Sequence, residues 1–385
     1  MDSLPDYIYF DHAATTPVLP DVVQEMSTCL NKFYGNPSEP HLPGREANKI
    51  LQNSKQTIGK AMNCSPEQII FTSGATESNN LAIFGAAEAY QKKGNHIITS
   101  SIEHPSAIMP LRRLQRKGFE VTYIPVDANG IIDPEEVRRA IRPETVMASI
   151  MHANNIFGTI EPIAQIGNIL KERGIVFHSD AAQTFCNIDI DAEKLNVDLL
   201  SISGHKFYGP KGIGALYIRK GTRIMPQLFG GGQQRGVRPG TENIPAVAGL
   251  AKACQIGQRN LVANIIKVTV LREYLIEKAL NSIEDIRLCG HPVKRLPGNC
   301  CFILKNISGK AMVAELDKAS IAVSGSSACA ASSIKPASAI TSLGISCDEA
   351  VGSVRISLGF ENTLKEIDYF LKVFPPIVNK LRSGL

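Results

Sequence analysis

Between residues 68 and 218, short apolar runs alternate with amphipathic stretches. Residues 68–72, 96–100, 121–126, 146–151, 175–178, 198–203 and 214–218 each read as a short buried strand, most of them ending in small or polar residues. Stretches such as 134–141 and 163–173 carry the three-to-four-residue apolar spacing of a helix covering such a strand. Strand and helix in strict turn predict an α/β fold with a mostly parallel sheet covered on both faces. Ligands in such sheets collect at the carboxyl ends of the strands. Polar clusters fall at those ends: Ser73 to Thr76, His104, Asn154 with Asn155, Asp180 with Gln183, and Ser203 to Lys206. Five of them on one edge predict a binding site there.

Lys206 follows Leu199-Leu200-Ser201-Ile202-Ser203-Gly204-His205, an apolar run that turns small and polar. A lysine at such an edge can be drawn into low dielectric, which disfavours the ammonium and frees the amine as a nucleophile. A Schiff base with an aldehyde cofactor needs this chemistry. Two plainer readings compete. Gly204 and Gly209 have the spacing of a phosphate loop, but Pro210 and Lys211 stand where that loop requires Lys and Ser or Thr, so it fails. The other is an ordinary solvated lysine.

The neighbouring clusters favour the cofactor. Asp180 closes its strand, and a carboxylate there could keep a pyridine nitrogen protonated and make the ring an electron sink. His104 could stack on a ring or move a proton. In Gln68-Ile69-Ile70-Phe71-Thr72-Ser73-Gly74-Ala75-Thr76-Glu77, Thr72 and Ser73 are the expected helix caps, and the backbone N–H groups there could hold a phosphate with Ser203, His205 and Thr76. A plain strand-to-helix loop accounts for that stretch equally well. Pyridoxal phosphate is the account that uses all of these groups.

Composition sets the class. With 44% hydrophobic and 20% charged residues among 385, the chain is an ordinary globular protein large enough for two domains. A net charge of +5 without a Lys/Arg block argues against direct nucleic-acid binding. No apolar run is long enough to span a bilayer, and the first six residues lack a basic, then apolar, leader. Nine cysteines with no C-x-x-C spacing predict free thiols in a reducing cytoplasm and no resident metal.

Past the sheet, residues 260–282 read as a long helix with Ile265, Ile266, Val270, Leu271, Leu275 and Leu280 on or near one face. It is expected to lead from a large domain to a smaller one, with strands near 300–304, 321–323 and 354–358 and a last helix over 364–381. Ser324 to Ser333 contains no side chain larger than Cys329. Such a run buries little and predicts a mobile loop carrying a thiol able to visit the site; a buried structural cysteine beside a helix cap is the competing reading.

Ordered segments along nearly the whole chain resemble the cysteine desulfurases of the NifS/IscS type, in the class V branch of fold-type-I pyridoxal-phosphate enzymes. They are Tyr9-Phe10-Asp11-His12-Ala13-Ala14-Thr15-Thr16-Pro17, Gly35-Asn36-Pro37-Ser38, Thr72 to Asn80, Glu103-His104, His152-Ala153-Asn154-Asn155, Asp180-Ala181-Ala182-Gln183, Ser203-Gly204-His205-Lys206, Arg238-Pro239-Gly240-Thr241, Ala328-Cys329 and Val354 to Gly359. The resemblance implies that Lys206 holds the cofactor covalently and moves the Cα proton. It implies that His104 stacks on the ring, Asp180 pairs with its nitrogen and Gln183 reaches the phenolic oxygen. Ala75, Thr76, Ser203 and His205 would hold the phosphate, with Thr241 from a partner subunit. Asn155, Arg355 and Asn36 would bind the substrate, and a planar guanidinium suits a carboxylate. Cys329 would take the sulfur of L-cysteine as a persulfide and release alanine.

The same resemblance implies a homodimer with a large cofactor domain over 15–258. A small domain, 1–14 with 259–385, would carry the Cys329 loop. Sulfur would pass to an acceptor protein in iron–sulfur assembly, tRNA thiolation or DNA phosphorothioation, and Cys329 could briefly touch an iron–sulfur cluster on such a partner. A selenocysteine lyase, a class V aminotransferase and a non-catalytic sulfur-acceptor scaffold are the rival expectations. Two departures stand out. Ser324-Gly325-Ser326-Ser327 has its glycine one place earlier than the usual Ser-Ser-Gly-Ser, and Ile156 and Phe157 replace the more usual Glu and Ile or Thr.

Overall fold

The computed structural model describes residues 6–325 and 338–384. The chain enters on a two-residue strand, β1 (Ile8–Tyr9). Seven strands follow: β2 (Ile69–Thr72), β3 (His96–Ser100), β4 (Glu120–Ile124), β5 (Thr145–Ser149), β6 (Val176–Asp180), β7 (Leu199–Ser203) and β8 (Gly214–Ile218). These seven form one sheet in the order β2-β8-β7-β6-β5-β3-β4. Neighbours from β7 to β4 pair in parallel, whereas β8 runs antiparallel to both β2 and β7. Hence β2, β3, β5, β6 and β7 all end on the same edge, as the polar clusters require.

Both faces of the sheet are covered, and alternate residues divide between them. Ile69, Phe71, Ile98, Ala148, Phe177, Leu200, Ala215 and Tyr217 enter a core with helices α2 (Leu42–Ala61), α5 (Pro134–Ala140), α6 (Ile163–Glu172) and α7 (Ile244–Arg259). Ile70, Ile97, Met147, Val176, Leu199 and Leu216 face the other way, against α3 (Ala75–Tyr90) and α4 (Pro105–Gln115). The period-two switch explains why these strands read as continuous apolar runs: each residue is buried on one face or the other. Helix α1 (Pro20–Lys32) lies against α7.

Helix α8 (Leu261–Ser282) follows α7 after a single residue. Its apolar face differs from the expected one. Leu271 and Leu275 are buried, together with Leu261, Val268, Ile276 and Ala279, whereas Ile266, Val270 and Leu280 are exposed. Residues 265 and 266, or 270 and 271, stand about 100° apart on a helix and cannot both lie at the centre of one face.

The second sheet orders β12 (Ser324–Gly325), β13 (Ser353–Ser357), β10 (Asn299–Leu304) and β9 (Ile286–Cys289), all antiparallel. β1 pairs in parallel with β11 (Ile321–Ala322). A separate core joins Phe10 from the start of the chain to α8, β10, β13 and the last helix, Leu364–Arg382, through Leu275, Phe302, Ile356, Phe370 and Phe374. Ile8 and Phe10 therefore pack with α8 and the elements that follow it.

Candidate active site

The expected phosphate site lies where β2 meets α3. Gly74, with φ 148°, is the N-cap of this helix, and no described side chain caps it. Thr72 and Ser73 were the expected caps, and the structure corrects this. The Thr72 hydroxyl pairs with Ser78 and also bonds Gly74, while the Ser73 N–H donates to Glu77. The first N–H groups of α3 thus stay open for a ligand, which is what an anion needs at a helix N-terminus. Gly74 suits this place twice over. Its φ is one that side chains rarely adopt, and a Cβ would project to 3.6 Å from Ser203 Oγ, into the space between β7 and the helix. Gly214 passes so close behind that its own Cβ would fall 2.7 Å from Gly74 Cα.

One continuous hydrogen-bond chain connects two of the expected groups. Asp180, at the end of β6, is buried; its Oδ1 accepts from the Ala182 N–H at 2.9 Å and its Oδ2 from Asn79 Nδ2 at 2.6 Å. The same Asn79 nitrogen donates to Ser106 Oγ at 2.8 Å, and that hydroxyl pairs with His104 Nδ1 at 2.7 Å. His104 is the N-cap of α4, accepting from the Ser106 N–H, so the start of the helix fixes its ring. Burial lowers the basicity of this imidazole; Asp180 opposes that and Lys206 reinforces it. Lys206 and Asp180 are thus both close enough to act on the ring electrostatically.

Lys206 closes a 3₁₀ turn after β7 and is half-buried. Its Nζ donates to the carbonyls of Ala13 and Ala14, each at 2.7 Å, and Gln183 Nε2 donates to Ala13 at 3.0 Å. His205 pairs with Thr15 Oγ1 at 3.1 Å, and its carbonyl accepts from the Thr16 N–H. Burial, then Lys206 and Lys211, push His205 down to about 4, so it is a neutral imidazole at physiological pH.

A third group lies on the second sheet. Arg355 on β13 is buried; its Nη1 donates to the Asn155 carbonyl at 2.8 Å and its Nη2 to Asp11 at 2.7 Å, while Nε has no partner among the described residues. A buried guanidinium with an unused N–H is a ready carboxylate receptor. Arg355 also sits opposite Ser324 of β12, and that strand ends four residues before Cys329. Of the expected mobile loop over 324–333, Ser324 and Gly325 instead form β12, and the rest, with Cys329, lies outside the described residues.

Not every expected residue joins this cluster. Thr76 is exposed on the first turn of α3, and Ala75 starts that helix. Among the described residues, Asn36 and Thr241 make no hydrogen bond with the cluster. Asn36 accepts from Ser38 in its own loop, and Thr241 is exposed beyond Arg238, which pairs with Glu77 at 2.8 Å. Ile156 and Phe157 are buried, and their N–H groups cap the Asn154 side chain. Sequence reading assigned nothing to Asn79, Ser106 or Asp11. Asn79 carried a usable signal: it lies three, four and seven residues before Ala82, Ile83 and Ala86, a polar residue on an apolar helix face.

Open helix donors, a buried carboxylate, a half-buried amine and a half-buried imidazole around one sheet edge fit the phosphate, ring nitrogen, aldehyde and ring face of pyridoxal phosphate, and on this fold they define a fold-type-I pyridoxal-phosphate enzyme. The signature of the aminotransferase class-V family spans residues 8–370. Proteins named cysteine desulfurase IscS are similar along nearly their whole length: that of Dictyoglomus turgidum is 44% identical over 376 residues, 98% of this chain and 95% of its own. That of Methanosarcina thermophila is 44% identical over 98% of this chain and 93% of its own. A solved NifS-like protein superposes with a TM-score of 0.92 at 37% identity, over 97% of this chain and 100% of the other. SspA in complex with cysteine superposes with a TM-score of 0.83 at 36% identity, over 92% and 100%. This chain belongs to the aminotransferase class-V family, among its cysteine desulfurases.

Proposed function

We propose that this chain is a pyridoxal-phosphate-dependent cysteine desulfurase that converts L-cysteine to L-alanine, leaves the sulfur as a persulfide on Cys329 and passes it to an acceptor protein. The observation that carries the reading is the junction at Ala13 and Asp11, where Lys206 and Gln183 from the large sheet meet Arg355 from the second. Pyridoxal phosphate, when bound, supplies the electron sink that makes bonds at the substrate Cα labile.

The chain's own residues supply the rest. The α3 N-terminus, with Ala75, Thr76, Ser203 and His205, holds the phosphate, joined by Thr241 of a second subunit. Asp180 faces the ring nitrogen, Gln183 the phenolic oxygen and His104 the ring. Lys206 moves the proton at Cα; the two carbonyls at its Nζ hold the amine where the reaction needs it. Arg355 and Asn155 take the substrate carboxylate, and Asn36 closes over it. The Cys329 thiolate takes the substrate sulfur, the carbon–sulfur bond breaks, and the carbon keeps its electrons and accepts a proton to become alanine.

No helix among the described residues is long and apolar enough to cross a membrane. The reading places the enzyme in the cytoplasm as a homodimer with domains over 15–258 and 1–14 with 259–385, serving an iron–sulfur scaffold or a thiolation enzyme. The test is a product assay with L-cysteine and a thiol reductant. Alanine and sulfide in equal amounts, both lost in Cys329→Ser, are expected. Pyruvate in place of alanine, or undiminished turnover in Cys329→Ser, would overturn the reading.

A further inference from the structure

The ends of β3 and β5 approach each other beneath the site, and a buried carboxyl joins them. Glu103 Oε1 accepts from the Ser100 hydroxyl at the end of β3 and from the Met151 N–H, two residues past β5, at 2.9 Å. Its Oε2 has no partner among the described residues. A second bond runs alongside, from Asn154 Nδ2 to the Ile102 carbonyl at 3.0 Å. Residues 102–103 and 151–154 are thereby clamped at two points. The segment's two exits bear the site residues: His104 follows Glu103 directly, and Asn155, whose carbonyl accepts from Arg355 at 2.8 Å, follows Asn154.

A carboxyl group placed here only for packing would be costly: burial raises it to about 8, its neighbours Asp180 and Glu161 are acidic, and one of its oxygens has no partner among the described residues. Ile102, Met151, Ile156 and Phe157 make the surroundings apolar. A leucine would fill such a space without the polar penalty. What a side-chain oxygen adds is direction: two donors from two strands converge on one atom.

We propose that Glu103 is a positioning residue that fixes the spacing between the ring-stacking His104 and the carboxylate-binding pair Asn155–Arg355. The inference rests on the reading of the site as one for pyridoxal phosphate and cysteine. Because the oxygen serves as an acceptor, the amide of glutamine can replace it and a methyl group cannot. Glu103→Gln retains both affinities. Glu103→Ala weakens both pyridoxal-phosphate binding by the apo protein and cysteine binding by the loaded enzyme, each by about tenfold or more, because misplacing positioned groups by about 1 Å can cost as much as a hundredfold.

The experiment measures pyridoxal-phosphate Kd by titration of apo protein, the KM for cysteine, kcat and Tm for the parent and both variants. If the parent neither binds the cofactor nor turns over cysteine, the reading of the site falls. With a functional parent, a Glu103→Ala protein that loses Tm but keeps both affinities overturns the positioning role, and so does a Glu103→Gln protein as impaired as Glu103→Ala. Should Glu103→Ala not fold, Ser100→Ala removes one of the two donors; a rise in both Kd and KM of a few-fold is then expected, and unchanged values overturn the proposal.

Discussion

Asn79→Ala is the substitution whose consequences follow most directly from geometry. The residue is fully buried, and its Nδ2 gives Asp180 Oδ2 a bond of 2.6 Å. Removing it leaves that oxygen without its side-chain donor and the carboxylate held only by the Ala182 N–H. A hydrogen bond to a charged group contributes about 1.5–3 kcal/mol. If half or more of this serves to aim the carboxylate at the ring nitrogen, pyridoxal-phosphate affinity falls roughly threefold to a hundredfold at 1.4 kcal/mol per decade. Ser106→Ala breaks the neutral end of the same chain, between Asn79 and His104, and should cost about 1 kcal/mol, or roughly fivefold. Asn79→Asp should be worse than alanine, because two carboxylates at this distance must share a proton. Fluorescence titration of the apo proteins measures all three. A folded Asn79→Ala protein with a Kd within twofold of the parent would refute the idea that this chain orients Asp180.

Arg355→Lys should raise the KM for cysteine tenfold to a hundredfold, since one fewer charge-assisted bond of about 1.5–3 kcal/mol is available; steady-state kinetics with a near-parental kcat would accompany it. Mixed dimers of Thr241→Ala and Lys206→Ala should recover part of the lost activity if Thr241 serves the neighbouring subunit, and no recovery in verified heterodimers would count against sharing. Apo-protein stability should peak near pH 6.5. Burial holds His12 and His152 near 4 and His178 near 3, so the unfolded chain binds more protons below about 6.5 and acid destabilises. Burial raises Glu103 and Glu161 to about 8, so above their ordinary 4.5 the folded chain binds more protons. Above pH 6.5 only the glutamates act among these groups, and stability should fall through pH 8 by on the order of 3 kcal/mol per unit. Glu161→Gln should halve that slope in pH-dependent denaturant titrations.

Much of the fold was legible because burial on two faces leaves a plain mark. The runs at His96–Ser100 and Gly214–Ile218 are strands to the residue. Helix α7 was not anticipated: it is apolar almost all round, with Ile244 to Leu250 wholly or largely buried, so no periodicity announces it. β9 was missed because Ile286-Arg287-Leu288-Cys289 is short and half-exposed. Side chains at strand ends, such as Asp180 and Lys206, could be placed by position alone. Their partners could not, because several are backbone carbonyls. Ala13 and Ala14 look inert as residues, yet their oxygens hold the Lys206 amine.

Those carbonyls explain why so short an N-terminal segment matters. Residues 10–16 are bound on one side to the second sheet, where the Ser357 N–H donates to Phe10, the Ala13 N–H donates to Ser357 Oγ and Asp11 pairs with Arg355. On the other side they receive Lys206 and Gln183, pair with His205 and accept the Tyr208 N–H through Thr16. The amine and the guanidinium lie on different sheets about 150 residues apart in sequence, and neither sheet contains the other's core. A strap hydrogen-bonded to both sets their separation without large buried area, through directional bonds that a small shift would break. Its sequence, Asp11-His12-Ala13-Ala14-Thr15-Thr16, is small and polar because its work is done mostly by the main chain.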